Sequence, residues 1–142
     1  MFSKTILLAA FLLSFHLRSF AQTTWDPIGL DVVGHNTMNG VNASYQQNTC
    51  NGQDVVYIKF TNNNNYSVEL NWYNAVFTQD LQWIRKEDAA DKKTIILAAN
   101  QNLQGDCPDA STAVLIVNLS DFIPLVAQFK RFGTVSLNVL IK

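Results

Sequence analysis

Residues 54–73 limit what this chain can fold into more than any other stretch. Across 54–61, Val56, Ile58 and Phe60 alternate with Val55, Tyr57 and Lys59. After four consecutive asparagines at 62–65 the alternation resumes, with Tyr66, Val68, Leu70 and Trp72 on one parity and Ser67, Glu69, Asn71 and Tyr73 on the other. Successive side chains of a strand leave on opposite faces, so each half reads as a strand with one face for a core. Asparagine tolerates the left-handed backbone of tight turns. The pattern predicts a β-hairpin with the asparagine run as its solvated tip, which Gly-Ser residues could replace while folding stays nearly intact.

The remaining segments fit the same class. Ile28, Leu30 and Val32 alternate after an unstructured lead-in that ends at Trp25, Asp26 and Pro27, and Val41, Ala43 and Tyr45 alternate after the Asn39-Gly40 turn signal. Residues 76–78 and 81–84 suggest a strand reversal through Gln79 and Asp80. Seven charges of mixed sign within residues 85–93 read as a solvated loop, and 94–98 as a strand. The apolar run 113–117 suits a central buried strand, and Val135, Leu137, Val139 and Ile141 mark a last one against Ser136, Asn138 and Leu140. Residues 120–132 stay open between two readings. Phe122, Leu125, Val126 and Phe129 have helical spacing, yet Val126, Gln128 and Lys130 against Ala127, Phe129 and Arg131 also split into strand faces. Seven or eight short strands give an all-β fold, a single antiparallel β-sandwich, with an immunoglobulin-like Greek key as one compatible order. Immunoglobulin domains place a Trp soon after the first Cys and a Tyr two residues before the second. Here Trp72 follows Cys50 distantly and Gly105 takes the Tyr position, so the cysteines do not form that fold's intersheet bridge.

Residues 1–21 read as a secretion signal: a short basic start, an apolar run from Ile6 to Phe15, and small residues at Ser19 and Ala21 before Gln22. The domain is then 22–142, with no later segment apolar enough to span a bilayer as a helix. Without Lys4 and Arg18 the chain carries eight basic against eleven acidic side chains, which lacks the basic excess of a nucleic-acid binder. Cys50 and Cys107, the only cysteines of an exported chain, are expected to form a disulfide that pins two turn-rich loops.

The run 55–62 (Val-Val-Tyr-Ile-Lys-Phe-Thr-Asn), the returning 68–72 (Val-Glu-Leu-Asn-Trp), Gly-Asp-Cys at 105–107 and the alternating last strand resemble small exported β proteins of Gram-negative bacteria. The resemblance covers about residues 54–141. It implies a β-sandwich and a location in the periplasm or outside the cell, and carries no activity with it.

Chemistry is thinly represented. One histidine, His35, remains after the leader, beside Gly34 in a turn, and no Gly-x-Ser-x-Gly occurs. A hydrolase would need a carboxylate pair drawn from acids such as Asp54, Glu69, Asp106 and Asp121. If the disulfide joins the two loops, Asp54, Asp106 and Asp109 become candidate calcium ligands. The distinctive property is amide content: 15 Asn and 9 Gln, all after residue 21, offer paired donors and acceptors to a hydroxyl-rich ligand. Glu69, Asn71 and Tyr73, with Trp83, are the candidate ligand face. The expectation is a monomeric, exported, non-catalytic binding or interaction module without a resident cofactor. Its partner would be a protein or a glycan, and a small secreted hydrolase is the alternative from another class.

Overall fold

The computed structural model describes residues 24–29, 38–107 and 109–142. The leader, Leu30, Asp31, Val32 and His35 lie outside the described residues. Nine strands follow in chain order: β1 (Asp26–Pro27), β2 (Val41–Cys50), β3 (Gln53–Asn62), β4 (Val68–Thr78), β5 (Trp83–Arg85), β6 (Lys93–Leu97), β7 (Asn102–Gln104), β8 (Ile116–Asn118) and β9 (Phe129–Ile141). Every pairing is antiparallel. The first sheet runs β1-β2-β3, with β7 and β8 sharing the far edge of β3; the second is built on β4, flanked by β9 on one side and by β6 and β5 in line on the other. The fold is an all-β sandwich.

The expected hairpin of 54–73 does not form. β3 pairs with β2, β7 and β8, and β4 with β5, β6 and β9, so the two alternating strands belong to different sheets. The first-sheet hairpin is instead β2–β3, closed by Asn51 and Gly52 at φ 52° and 77°. Two positive-φ residues match the type I′ turn whose twist suits paired strands. Asn62 explains why the chain crosses over. It is fully buried, and its Nδ2 donates to the carbonyls of Tyr66 and Ala98, both at 2.9 Å. Its Oδ1 accepts from the Asn64 backbone N–H and from Asn64 Nδ2, both at 3.0 Å. The amide replaces ladder bonds for backbone that has left one sheet and not yet joined the other. Neighbouring turns close on the same arch, with Asn63 N–H donating to the Gly40 carbonyl and Asn100 N–H to the Asn64 carbonyl. Gly40, at φ 78°, is required because a Cβ there would collide with the Asn64 amide.

Stacking β3 over β4 builds the core. Phe60 and Trp72 are fully buried and meet edge to face with centroids 5.0 Å apart. The Trp72 indole N–H donates to Asn74 Oδ1 at 2.9 Å, which satisfies its one polar atom. On the far side Tyr45 of β2 meets Phe132 of β9 at 5.8 Å.

Other expectations shift. The lead-in residues Asp26 and Pro27 pair with Tyr45 and Ser44 as β1. Residues 113–117 are not a central strand: Ala110–Leu115 is a 3-10 helix, and only the following residues form β8. Residues 120–132 hold no long helix but two 3-10 turns, Leu119–Asp121 and Val126–Gln128, before β9 begins. β9 bulges where two residues oppose Trp72, and Ser136 takes φ 52° there. The bulge inverts the alternation, so Val135 stands opposite Tyr73 on the outer face while Leu137 joins the core.

Asn62→Ala is expected to lower unfolding stability by roughly 1–3 kcal/mol, because the part-buried carbonyls of Tyr66 and Ala98 lose their shared donor. Asn63→Ala and Asn65→Ala, at exposed positions, should stay within about 0.5 kcal/mol of the parent. Urea denaturation of the three variants measures this; equal stability of all three would show that the arch holds through its backbone alone.

Candidate functional site

Two outer sheet faces are available for a ligand, and the disulfide shapes one of them. Cys50 and Cys107 are bonded, with Cα atoms 5.8 Å apart. Gln104 lies beside Lys59 on one flank of β3, whereas Cys50 ends β2 on the other flank. Only Gly105 and Asp106 separate Gln104 from Cys107, so this segment must cross β3 to reach the bridge. The 3-10 helix that follows packs against β3, β7 and β8. Val55 and Tyr57 of β3 are buried without belonging to the intersheet core cluster, as residues beneath such a crossing would be.

The acids proposed for calcium serve the crossing loop. Asp109 Oδ1 accepts from the Ser111 backbone N–H at 2.8 Å and caps the 3-10 helix. Hydrogen bonds from Ser111 hold this carboxyl below its usual range. The buried Thr112 hydroxyl accepts from the Asp106 N–H at 3.1 Å. Asp54 pairs with Thr49 in the β2–β3 ladder. Among the described residues no group of three or more acidic, histidine or cysteine side chains could hold a metal ion, so Asp54, Asp106 and Asp109 do not make the expected cluster. The carboxylates follow a similar course. Asp91 and Asp121 line a shared cavity with Lys86 and Lys93, but its volume of about 100 Å³ holds only a few waters and not a sugar ring.

Glu69, Asn71, Tyr73 and Trp83 do share one face, the outer side of the second sheet. Much of that face is already engaged. Thr94 Oγ1 donates to Asn71 Oδ1 at 2.7 Å, Asn71 Nδ2 donates to Glu69 Oε1 at 3.1 Å, and Lys142 Nζ pairs with Glu69 Oε2 at 2.6 Å. Lys142 and Asn71 together hold the Glu69 carboxyl below its ordinary value of 4.5. Trp83 lies roughly 25 Å along the face from Glu69, at the 3.3 Å rise of a strand, opposite Phe77. Its ring is 5.0 Å from that of Phe77, and the Arg131 guanidinium lies 4.8 and 5.2 Å from the two rings. Sequence reasoning missed Phe77 and Arg131, because their meeting with Trp83 depends on the β5 and β9 registers.

The first sheet's outer face differs. Strand registers align Ser44, Lys59 and Gln104 in one row, and Asn42, Thr61 and Asn102 in the next. None of the Asn42, Ser44, Thr61, Asn102 or Gln104 side chains forms a hydrogen bond among the described residues. Trp25, brought alongside by β1, has the Lys59 ammonium 4.5 Å from its ring centroid. A shallow cavity of about 460 Å³ opens here, lined by Trp25, Pro27, Asn42, Ser44, Lys59 and Thr61, with Ile28, Met38 and Ala43 at its apolar end. That volume falls in the range of small-molecule sites. The sequence held half of this signal: Asn42 and Ser44 lie between Val41, Ala43 and Tyr45 and so share a polar parity. The β2–β3–β7 registers that complete the array were not readable. No known protein family, curated protein or solved structure matches the chain. No helix among the described residues is long and apolar enough to cross a membrane.

Two predictions follow from these contacts. Replacing Cys50 and Cys107 by Ser should cost about 2–5 kcal/mol of stability. Hydrogen exchange should rise first in Ala110–Leu115 and β8, and unchanged protection there would refute the clamp. For Glu69, a folded-state pKa below the unfolded value means stability that is full above the unfolded pKa and lost as pH falls through the folded one. Glu69→Gln should therefore lower the melting temperature slightly at neutral pH and by less at about pH 3. An equal loss at both pH values would rule out the ion pair as the cause.

Proposed function

We propose that this chain is an exported, non-catalytic glycan-binding module whose ligand face is the Trp25 groove on the outer side of the first sheet. One observation carries the reading: unengaged amides and hydroxyls stand in two ordered rows beside an indole, while the buried amides of Asn62 and Asn74 serve the fold. A pyranose presents an apolar C–H face and a rim of hydroxyls, each both donor and acceptor. Trp25 offers the surface for the first, and Asn42, Ser44, Thr61, Asn102 and Gln104 offer partners for the second. Backbone pairing holds β2, β3 and β7 in register, so most of these groups are positioned before the ligand arrives.

Export rests on the leader reading of residues 1–21 and on the paired cysteines, which suit an oxidising compartment. The resemblance to small exported β proteins of Gram-negative bacteria points the same way. The module would then work in the periplasm or at the cell exterior, where polysaccharides are accessible.

Trp25→Ala should weaken binding to the retained polysaccharide at least about tenfold. Trp83→Ala, on the opposite sheet, should leave binding unchanged. Affinity electrophoresis across a polysaccharide panel, followed by calorimetry on the best ligand, measures both. Absence of retention by the parent protein, or equal affinity of parent and Trp25→Ala, would overturn the reading.

A further inference from the structure

We infer that the Trp25 groove is selective for glycans carrying a carboxylate, with Lys59 as the residue that reads the charge; the inference rests on the glycan-binding reading above. Among the described residues the groove is lined by one cation, Lys59, and by no acid. This is notable in a chain whose acidic side chains outnumber its basic ones. Asp26 is adjacent in sequence, but strand alternation turns it from the groove: it pairs with the inward Tyr45, whereas Pro27 pairs with the outward Ser44. Lys59 forms no ion pair among the described residues, and its ammonium stands over the Trp25 ring. The residue is half-buried, so part of its side chain is already packed before a ligand binds. Ser44 and Gln104 flank it in the same row, and both bring donors that a carboxylate can accept from.

The arrangement favours an anionic sugar for two reasons. A carboxylate beside Lys59 gains a charge-assisted hydrogen bond that a neutral hydroxymethyl cannot match. An amino sugar in its ammonium form would instead meet the like charge of Lys59, with no acid among the described lining residues to offset it. The indole adds stacking without regard to charge. Trp25 therefore governs whether a glycan binds, and Lys59 governs which.

The test uses oligomers of galacturonate, glucuronate and mannuronate, each compared with its methyl ester, which keeps the ring and removes the charge. Calorimetry on the parent protein should show at least one acid bound roughly tenfold more tightly than its ester at low salt. Lys59→Gln should reduce that ratio to near one, and Lys59→Arg should retain most of it. Raising the salt to about 0.5 M should shrink the preference without abolishing ester binding. Equal binding of acid and ester by the parent would overturn charge selection and leave the glycan reading standing. Preference that persists in Lys59→Gln would overturn the role of Lys59. Failure to bind these oligomers or any neutral polysaccharide would overturn both readings.

Discussion

The crossing of the chain between β3 and β4 is the constraint on which the rest of this sandwich depends. Each of these strands is the centre of its own sheet, and only five residues separate them. So short a link between paired strands would ordinarily close a hairpin. It makes an arch because the Asn62 side chain supplies hydrogen bonds that the backbone loses on leaving the first sheet. Stacking then follows geometrically. Phe60 and Trp72, near the arch on either strand, must face one another, and their buried contact anchors the core. Had the two strands paired, Phe60 and Trp72 would have shared one face of a single sheet, with nothing opposite to cover them.

Alternation made each strand's core face readable but not its neighbours. Period two tells which side chains point together, and is silent on which strand lies alongside. The assignment of Val68, Leu70 and Trp72 to the core therefore held, while the pairing of their strand with 54–61 did not. The turn chemistry was present in both places, as Asn51-Gly52 and as four asparagines. What separated them was the burial of Asn62, a tertiary property. The bulge at Ser136 defeated simple alternation for Val135 in the same way, since one inserted residue reverses every later face. The all-β class and the Cys50–Cys107 bridge survived because both rest on local or compositional signals.

The candidate site was less readable still, and for a related reason. Composition marks the chain as amide-rich, but an amide that holds the fold and one that meets solvent look identical in a sequence. Asn62, Asn64 and Asn74 are engaged by their own backbone or by Trp72, and Asn71 by Glu69 and Thr94. Asn42, Asn102 and Gln104 are not. Glu69, Asn71, Tyr73 and Trp83 lie on one face, but Asn71 is committed to Glu69 and Thr94, and Glu69 to Asn71 and Lys142. The array on the first sheet is assembled laterally from three strands distant in sequence. No single segment displays it.

The disulfide and the groove are linked through β7. This strand is three residues long and supplies Asn102 and Gln104, the outermost column of the array. An edge strand so short has few ladder bonds to hold it. Its two ends are fixed instead, by Asn62 N–H donating to the Gln101 carbonyl before it and Gly105 N–H donating to the Ile58 carbonyl after it. Cys107 then ties the exit of the strand across β3 to Cys50. Gly105 is needed there because a Cβ would strike the Leu115 carbonyl where the chain doubles back. The same arch that separates the sheets thus anchors the start of β7, and the Cys50–Cys107 bridge anchors its end.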